Sequence, residues 1–256
     1  MQTVVQKAKG VFLDLYGTLF ILGNMQQAWA DWMDALYADL CPRDSSLSRA
    51  TFEDCCHQFF GKEQPPHADD GLTIFERRIR RLTASLGLAV EIPGLQGAAA
   101  RATNAWQAHV RIDPLAVEVL AALKQNKVLA MISNFDHPVH AHRVIRDAGL
   151  GGFFQTIVVS GEVGVKKPDP KIFHIALDRT GLSADEVVYV GDTQEDVEGA
   201  TAAGIRPILI VRPEEPGEPR LLDYTRRGEP MPLQPVAVPS RITIRSLREV
   251  VGLVGR

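Results

Sequence analysis

Val11-Phe12-Leu13-Asp14-Leu15-Tyr16-Gly17-Thr18-Leu19-Phe20 is the stretch on which the fold turns. A short apolar run stops at a carboxylate, and Gly17-Thr18 follows shortly after. A continuous apolar run of this length reads as a buried strand. Ligands of an open α/β sheet sit beyond the carboxyl ends of its strands, so Asp14 is expected to face a crevice there. Gly17 lacks a Cβ and permits the sharp turn that must follow. Three later stretches look built to meet Asp14: Met131-Ile132-Ser133-Asn134, Val165-Lys166-Lys167-Pro168, and Val188-Tyr189-Val190-Gly191-Asp192-Thr193-Gln194-Glu195-Asp196. They supply a hydroxyl, a cation and an acidic pair.

Outward from the first strand, the period changes at Met25. Trp29, Trp32, Met33, Leu36 and Tyr37 recur at three- and four-residue intervals and mark one helix face. Further helices are expected through Phe52, Cys56 and Phe59, through Phe75, Ile79 and Leu82, and from Leu95 to Val110. Trp29, Trp32, Phe59 and Phe60 are expected in the core of this helical block. The run Arg77-Arg78-Arg80-Arg81 reads as a solvated helix face, and His57 and His67 have no partner at metal-ligand spacing. After Asp113-Pro114, helix and strand alternate up to Ile210, which predicts a parallel sheet covered on both faces. The chain thus reads as an α/β core of residues 1–23 and 111–256, interrupted by a helical domain at 24–110. Seven prolines between Pro213 and Pro239 predict a long irregular connection. A short strand and closing helix are expected within Ile242–Val254.

Bulk properties narrow the class. The 256 residues suffice for one core domain and a smaller insert. A formal charge of -3 argues against electrostatically driven nucleic-acid binding. The first ten residues carry no signal-peptide pattern, and no apolar run is long enough to span a bilayer. Cys41, Cys55 and Cys56 have no zinc spacing, and the adjacent Cys55 and Cys56 read as a helix's buried thiols in a reducing compartment. A cytoplasmic protein without nucleic-acid or membrane partners is expected; the oligomeric state stays open.

Asp14 and Asp192 both end apolar strand-like runs, so both can project over one crevice. Two carboxylates held close repel each other unless a cation lies between them, and Mg²⁺ prefers such oxygen ligands. Asp196, at a helix start, is placed to hold a metal-bound water or orient a ligand. A lysine near Asp14 would keep that carboxylate ionised and neutralise an anionic substrate. Spacing does not choose between Lys166 and Lys167. The Ser133 hydroxyl and the Asn134 backbone N–H are placed to bind an oxyanion.

The four stretches, in this order, resemble the four motifs of the haloacid dehalogenase (HAD) superfamily, over roughly residues 8–22 and 112–212. The resemblance implies a Rossmann-like, doubly wound parallel sheet core with an inserted all-helical C1-type cap. It implies that Asp14 is the nucleophile and forms a covalent intermediate, and that Thr18 and Ser133 position the substrate. It selects Lys167, through Lys167-Pro168-Asp169-Pro170. It assigns Asp192 to Mg²⁺ and Asp196 to its support, with the Tyr16 carbonyl as a further ligand.

Tyr16 departs from the phosphatase pattern, which has a second Asp two residues after the nucleophile. That Asp protonates the leaving alcohol and activates water, whereas a phenol with a pKa of about 10 is a poor base. The family's metal-independent 2-haloacid dehalogenases often carry Asp-x-Tyr-Gly-Thr, as at Asp14-Leu15-Tyr16-Gly17-Thr18. They lack the motif-four acidic pair kept here, and they carry a Tyr where this chain has Phe173. The expected activity is Mg²⁺-dependent hydrolysis of a small phosphorylated, anionic metabolite. The alternatives are a 2-haloacid dehalogenase and a non-catalytic protein that binds a phosphorylated ligand or a partner.

Overall fold

The opening apolar run forms β1 (Gly10–Leu13), buried along its whole length in the computed structural model of the chain. The structure describes residues 5, 7–41, 47–56, 59–60, 63–66, 69–212, 222–223, 229–230 and 242–255. After β1 come β2 (Phe20–Leu22), α1 (Met25–Leu40), α2 (Arg49–Cys56), α3 (Ile74–Ser85), α4 (Ile92–Gln107) and β3 (Val110–Ile112). Helix and strand then alternate through α5 (Ala116–Lys124), β4 (Val128–Ser133), α6 (Pro138–Asp147) and β5 (Thr156–Val159). The series continues with α7 (Ser160–Val163), α8 (Lys171–Thr180), β6 (Val187–Gly191), α9 (Gln194–Ala202) and β7 (Arg206–Ile210). Past β8 (Leu222–Asp223) and β9 (Glu229–Pro230), the chain ends in β10 (Thr243–Ile244) and α10 (Arg248–Val254).

Six parallel strands form one sheet in the order β10-β7-β6-β1-β4-β5. The central position of β1 explains its unbroken apolar run, since both of its faces are covered. On one face, Phe12, Ala130, Ile132, Val187 and Tyr189 pack with Ile172, Phe173, Ala176 and Ala200 of α8 and α9. The alternate residues Val11, Leu129, Met131 and Val190 are equally buried, so the opposite face is covered too. Leu13 lies opposite both Met131 and Val190. This register brings the carboxyl ends of β1, β4 and β6 to one edge. The chain order and parallel sheet are those of a Rossmann-like α/β fold.

The chain forms two units. One contains Met1–Ile21, Ile112–Glu215 and Pro235–Arg256 and holds the parallel sheet; the other is centred on Leu22–Arg111 and holds α1 to α4. In the helical unit, Trp29, Trp32, Phe59 and Phe75 are buried with Met33, Leu36, Ile79 and Leu95, and the partly buried Phe60 packs against them. The Trp29 and Trp32 rings stack at 4.8 Å. Thr73 and Glu76 form a capping box at the start of α3, satisfying donors that the helix leaves open.

Some details differ from the sequence expectation. Helix α4 ends at Gln107, and Val110 belongs to β3, since its β-branched side chain suits a strand. Only half of the arginine run is a solvated face: Arg80 and Arg81 are exposed. Arg77 and Arg78 are buried: Arg77 pairs with Asp70 at 2.8 Å, and Arg78 donates to the Phe59 carbonyl at 3.1 Å. Arg80 also reaches Asp70, at 2.9 Å. The cysteines are free, and burial pushes the Cys56 thiol up to about 12, which makes it inert. His57, His67 and most of the Pro213–Pro239 stretch lie outside the described residues. No helix of the described residues is long and apolar enough to cross a membrane.

Candidate active site

Asp14 extends the β1 ladder by one step, its N–H donating to Val190 O at 2.9 Å. Its side chain leaves the strand at the edge where β4 and β6 also end. Gly17 follows with φ +87, and a Cβ there would meet Asp192 Oδ2 at 2.0 Å. The glycine thus supplies both the left-handed turn and the close approach of Asp192. From the far side, Lys167 reaches in ahead of α8. Its ammonium lies 2.6 Å from Asp14 Oδ1 and 2.7 Å from Asp196 Oδ1. It also donates towards Tyr189 Oη at 3.2 Å and Ile132 O at 3.3 Å. Asn134 fixes the Lys167 peptide from both sides: its Oδ1 accepts from Lys167 N at 2.8 Å, and its Nδ2 donates to Lys167 O at 3.0 Å.

Asp196 is saturated. Oδ1 accepts from Lys167 and from Tyr189 Oη at 2.9 Å. Oδ2 accepts from Asp192 N at 3.2 Å, Thr193 N at 3.0 Å and Thr193 Oγ1 at 2.7 Å. It therefore holds Lys167, the end of β6 and the start of α9 in one arrangement. Asp192 is the contrast, because its Oδ1 is buried with no hydrogen-bond partner among the described residues. Asp14, Asp192 and Asp196 each offer an oxygen within 4.8 Å of the others. One ammonium, paired with Asp14 and Asp196 but not with Asp192, leaves negative charge uncompensated among three carboxylates, and a hard divalent cation with oxygen ligands fits that excess.

The charges respond as expected for a buried cluster. Burial, opposed by the Lys167 ammonium and reinforced by Asp196, pushes the Asp14 carboxyl up to about 7. Burial and the neighbouring Asp14 and Asp196 push Asp192 well above the usual carboxylate range. Asp196 goes the other way: burial works against its ionisation, but the charge and hydrogen bond of Lys167 outweigh it. Burial disfavours the Lys167 ammonium as well, yet Asp14 and Asp196 together hold its pKa above the ordinary value. Burial and the Asp14 charge raise the Tyr16 phenol, so it keeps its proton.

The structure thus brings Asp14, Lys167, Asp192 and Asp196 together. Ser133 closes β4 and is buried. Thr18 is fully buried, and its Oγ1 has no partner among the described residues. The half-buried Tyr16 ring lies against Phe135 at 5.2 Å and Phe20 at 5.9 Å. The Asn134 side chain is committed to the Lys167 peptide, whereas the sequence reading considered only its backbone N–H.

Sequence reasoning passed over Tyr189 and Thr193. Tyr189 reads as one apolar residue of a buried strand, but its hydroxyl joins Asp196, Lys167 and Ile132 O. A tyrosine within a fully buried strand was the available signal, since a buried phenol needs a partner. Thr193 and Asp196 form a reciprocal cap on α9, legible as a polar residue three positions ahead of an acid.

A family model described as haloacid dehalogenase-like hydrolase matches residues 8–204. A phosphoserine phosphatase of Thermus thermophilus is 36% identical over 109 residues, which is 42% of this chain and 43% of that protein. The chain spans less than half the length of the first curated relatives it matches. A 2-haloacid dehalogenase from Pseudomonas syringae pv. tomato superposes with a TM-score of 0.60 at 19% identity, covering 96% of this chain and 98% of that one. The HAD-hydrolase YfnB from Bacillus subtilis, bound to magnesium, gives 0.57 at 19% identity, covering 97% and 99%. At these identities the two structures share the fold.

Proposed function

The chain belongs to the haloacid dehalogenase-like hydrolases, and we propose that it is a Mg²⁺-dependent phosphatase acting on a small phosphorylated metabolite. One observation carries this reading: Asp14, Asp192 and Asp196 offer oxygens within 4.8 Å of one another, the single buried ammonium pairs with only Asp14 and Asp196, and Asp192 Oδ1 has no partner among the described residues. Asp14 and Asp192 would hold the cation, with the Tyr16 carbonyl as a further oxygen. Asp196, already saturated, would support them. When bound, Mg²⁺ supplies the positive charge that lets an anionic phosphoryl group approach this acidic site.

The side chains divide the work as follows. Asp14 attacks phosphorus, and the bond from phosphorus to the substrate alcohol breaks. Lys167 orients Asp14 and opposes the burial that favours its neutral form. Ser133 and Thr18 position the phosphoryl oxygens. The Tyr16 phenol donates a hydrogen bond to the departing oxygen, which takes its proton from solvent. Water then attacks phosphorus of the acyl phosphate and gives its proton to solvent, and the bond from phosphorus to the Asp14 oxygen breaks, releasing phosphate and restoring the Asp14 carboxylate. Tyr16 cannot accept the proton of that water, so the second step is slow relative to an enzyme with a carboxylate there. The phosphatase relative supports this reading in the aligned region.

Tyr16 favours a second reading. A metal-independent dehalogenase would use Asp14 to displace halide and would need no acid for the leaving group. Phosphate release from an aryl phosphate and halide release from a 2-haloacid, each with Mg²⁺ and with chelator, separate the two. Phosphate release that requires Mg²⁺ supports the first reading. Halide release indifferent to chelator replaces it with the second.

A further inference from the structure

We propose that Arg212 is a positioning residue for the turn that carries Asp14. Arg212 follows β7, and its backbone is fixed by the β7–β10 pairing, extended by a hydrogen bond from Val211 N to Ile244 O at 2.8 Å. From there its guanidinium reaches two separate parts of the sheet unit. Nη2 donates to the carbonyl of Thr18 and lies 2.8 Å from Asp113 Oδ2. The Asp113 carboxylate is itself anchored, because Oδ1 accepts from Leu115 N at 2.8 Å. Asp113 N in turn donates to Leu19 O at 2.9 Å. Thr18, Leu19, Asp113 and Arg212 thus form a closed loop of contacts.

That loop bears on the catalytic turn. Residues 15–20 are knit internally by Gly17 N to Phe20 O at 2.7 Å, and by Leu19 N and Phe20 N to Leu15 O at 2.8 Å each. The Thr18 carbonyl lies within this turn, and Arg212 holds it from outside. Gly17 meets Asp192 so closely that no Cβ fits between them, so a small rotation of the turn would change the spacing of the carboxylates. A planar guanidinium with two hydrogens on one nitrogen suits a carbonyl and a carboxylate together. Arg212 is also well shielded, with 14% side-chain exposure against 5% for Asp113, which limits screening of the pair.

The test compares wild type, R212M, D113N and R212M/D113N. Only its kinetic arm rests on the phosphatase reading. R212M leaves the buried Asp113 carboxylate without its cation, and the double variant removes that imbalance while keeping an oxygen for Leu115 N. Thermal melting and hydrogen exchange by mass spectrometry are read on every form, with kcat and KM for an aryl phosphate. The double variant is expected to regain most of the melting temperature lost in R212M. Its exchange within residues 15–20 should still run roughly tenfold above wild type while β4 and β6 stay protected. Its kcat should remain about tenfold down with KM little changed. Wild-type exchange within 15–20 in the double variant overturns the proposal, as does a uniform rise across the core or recovery of kcat. If the wild type releases no phosphate, the phosphatase reading fails and the exchange measurement alone decides the role of Arg212.

Discussion

The Lys167 ammonium lies 2.6 Å from Asp14 Oδ1, and the two side chains are only 4% and 7% exposed. A buried ion pair is costly to break, because the remaining charge has no water to solvate it. Lys167→Met therefore leaves both Asp14 and Asp196 uncompensated. The variant should lose about 3–5 kcal/mol of stability, read by chemical denaturation, and at least about 10²-fold in turnover. A loss below about 1 kcal/mol, typical of an exposed pair, would contradict the buried geometry.

Tyr189→Phe removes one hydroxyl from beneath the site. Asp196 loses a donor at 2.9 Å and Lys167 loses an acceptor at 3.2 Å, while the ring keeps its packing against Phe173. A cost of about 1–3 kcal/mol is expected for buried groups left short of a partner. Turnover should fall with it, since Lys167 loses part of its fixation. Unchanged stability and turnover would show that Tyr189 contributes packing alone.

Much of this was legible in the sequence. The run ending at Asp14 gave away a buried strand because a strand covered on both faces needs no polar side. The meeting of Asp14 and Asp192 at one edge followed from the pattern, since Asp14 and Gly191-Asp192 close runs of similar character. Contacts between distant segments were not legible. Arg212 and Asp113 belong to no local motif, and only the assembled sheet unit brings them together. Arg77 and Arg78 look solvated by composition, but Asp70 and the Phe59 carbonyl, supplied by preceding loops, let them be buried. Asn134 reads as a turn former because nothing local announces that its amide will clasp the Lys167 peptide.

His140 is a buried imidazole whose Nδ1 accepts from Arg143 at 2.9 Å. Burial, with Arg143 and His137 nearby, lowers its pKa to about 3. The unfolded chain takes up this proton near pH 6.5, while the folded chain resists until about 3. The contribution is thus fully present above about pH 6.5 and is lost as pH falls through that window, at up to about 1.4 kcal/mol per pH unit. His140→Gln should flatten the acid side of the stability curve. An NMR titration of the ring with a midpoint near 6.5 would contradict this.

Tyr16→Asp tests the one departure from a phosphatase site. A carboxylate there supplies the acid and base that the phenol lacks, so phosphate release should rise by about 10²–10⁴-fold if the rest of the site is competent. The readout is kcat for an aryl phosphate in the presence of Mg²⁺. A fall in kcat, with halide release retained by the wild type, would assign Tyr16 to dehalogenation.

The most direct measurement is mass spectrometry of the wild-type protein acid-quenched during turnover of an aryl phosphate with Mg²⁺. The account predicts one phosphoryl group on the peptide that contains Asp14, more abundant than in Tyr16→Asp and absent in Asp14→Asn. Phosphate release with no such adduct, or with full activity in Asp14→Asn, would contradict it.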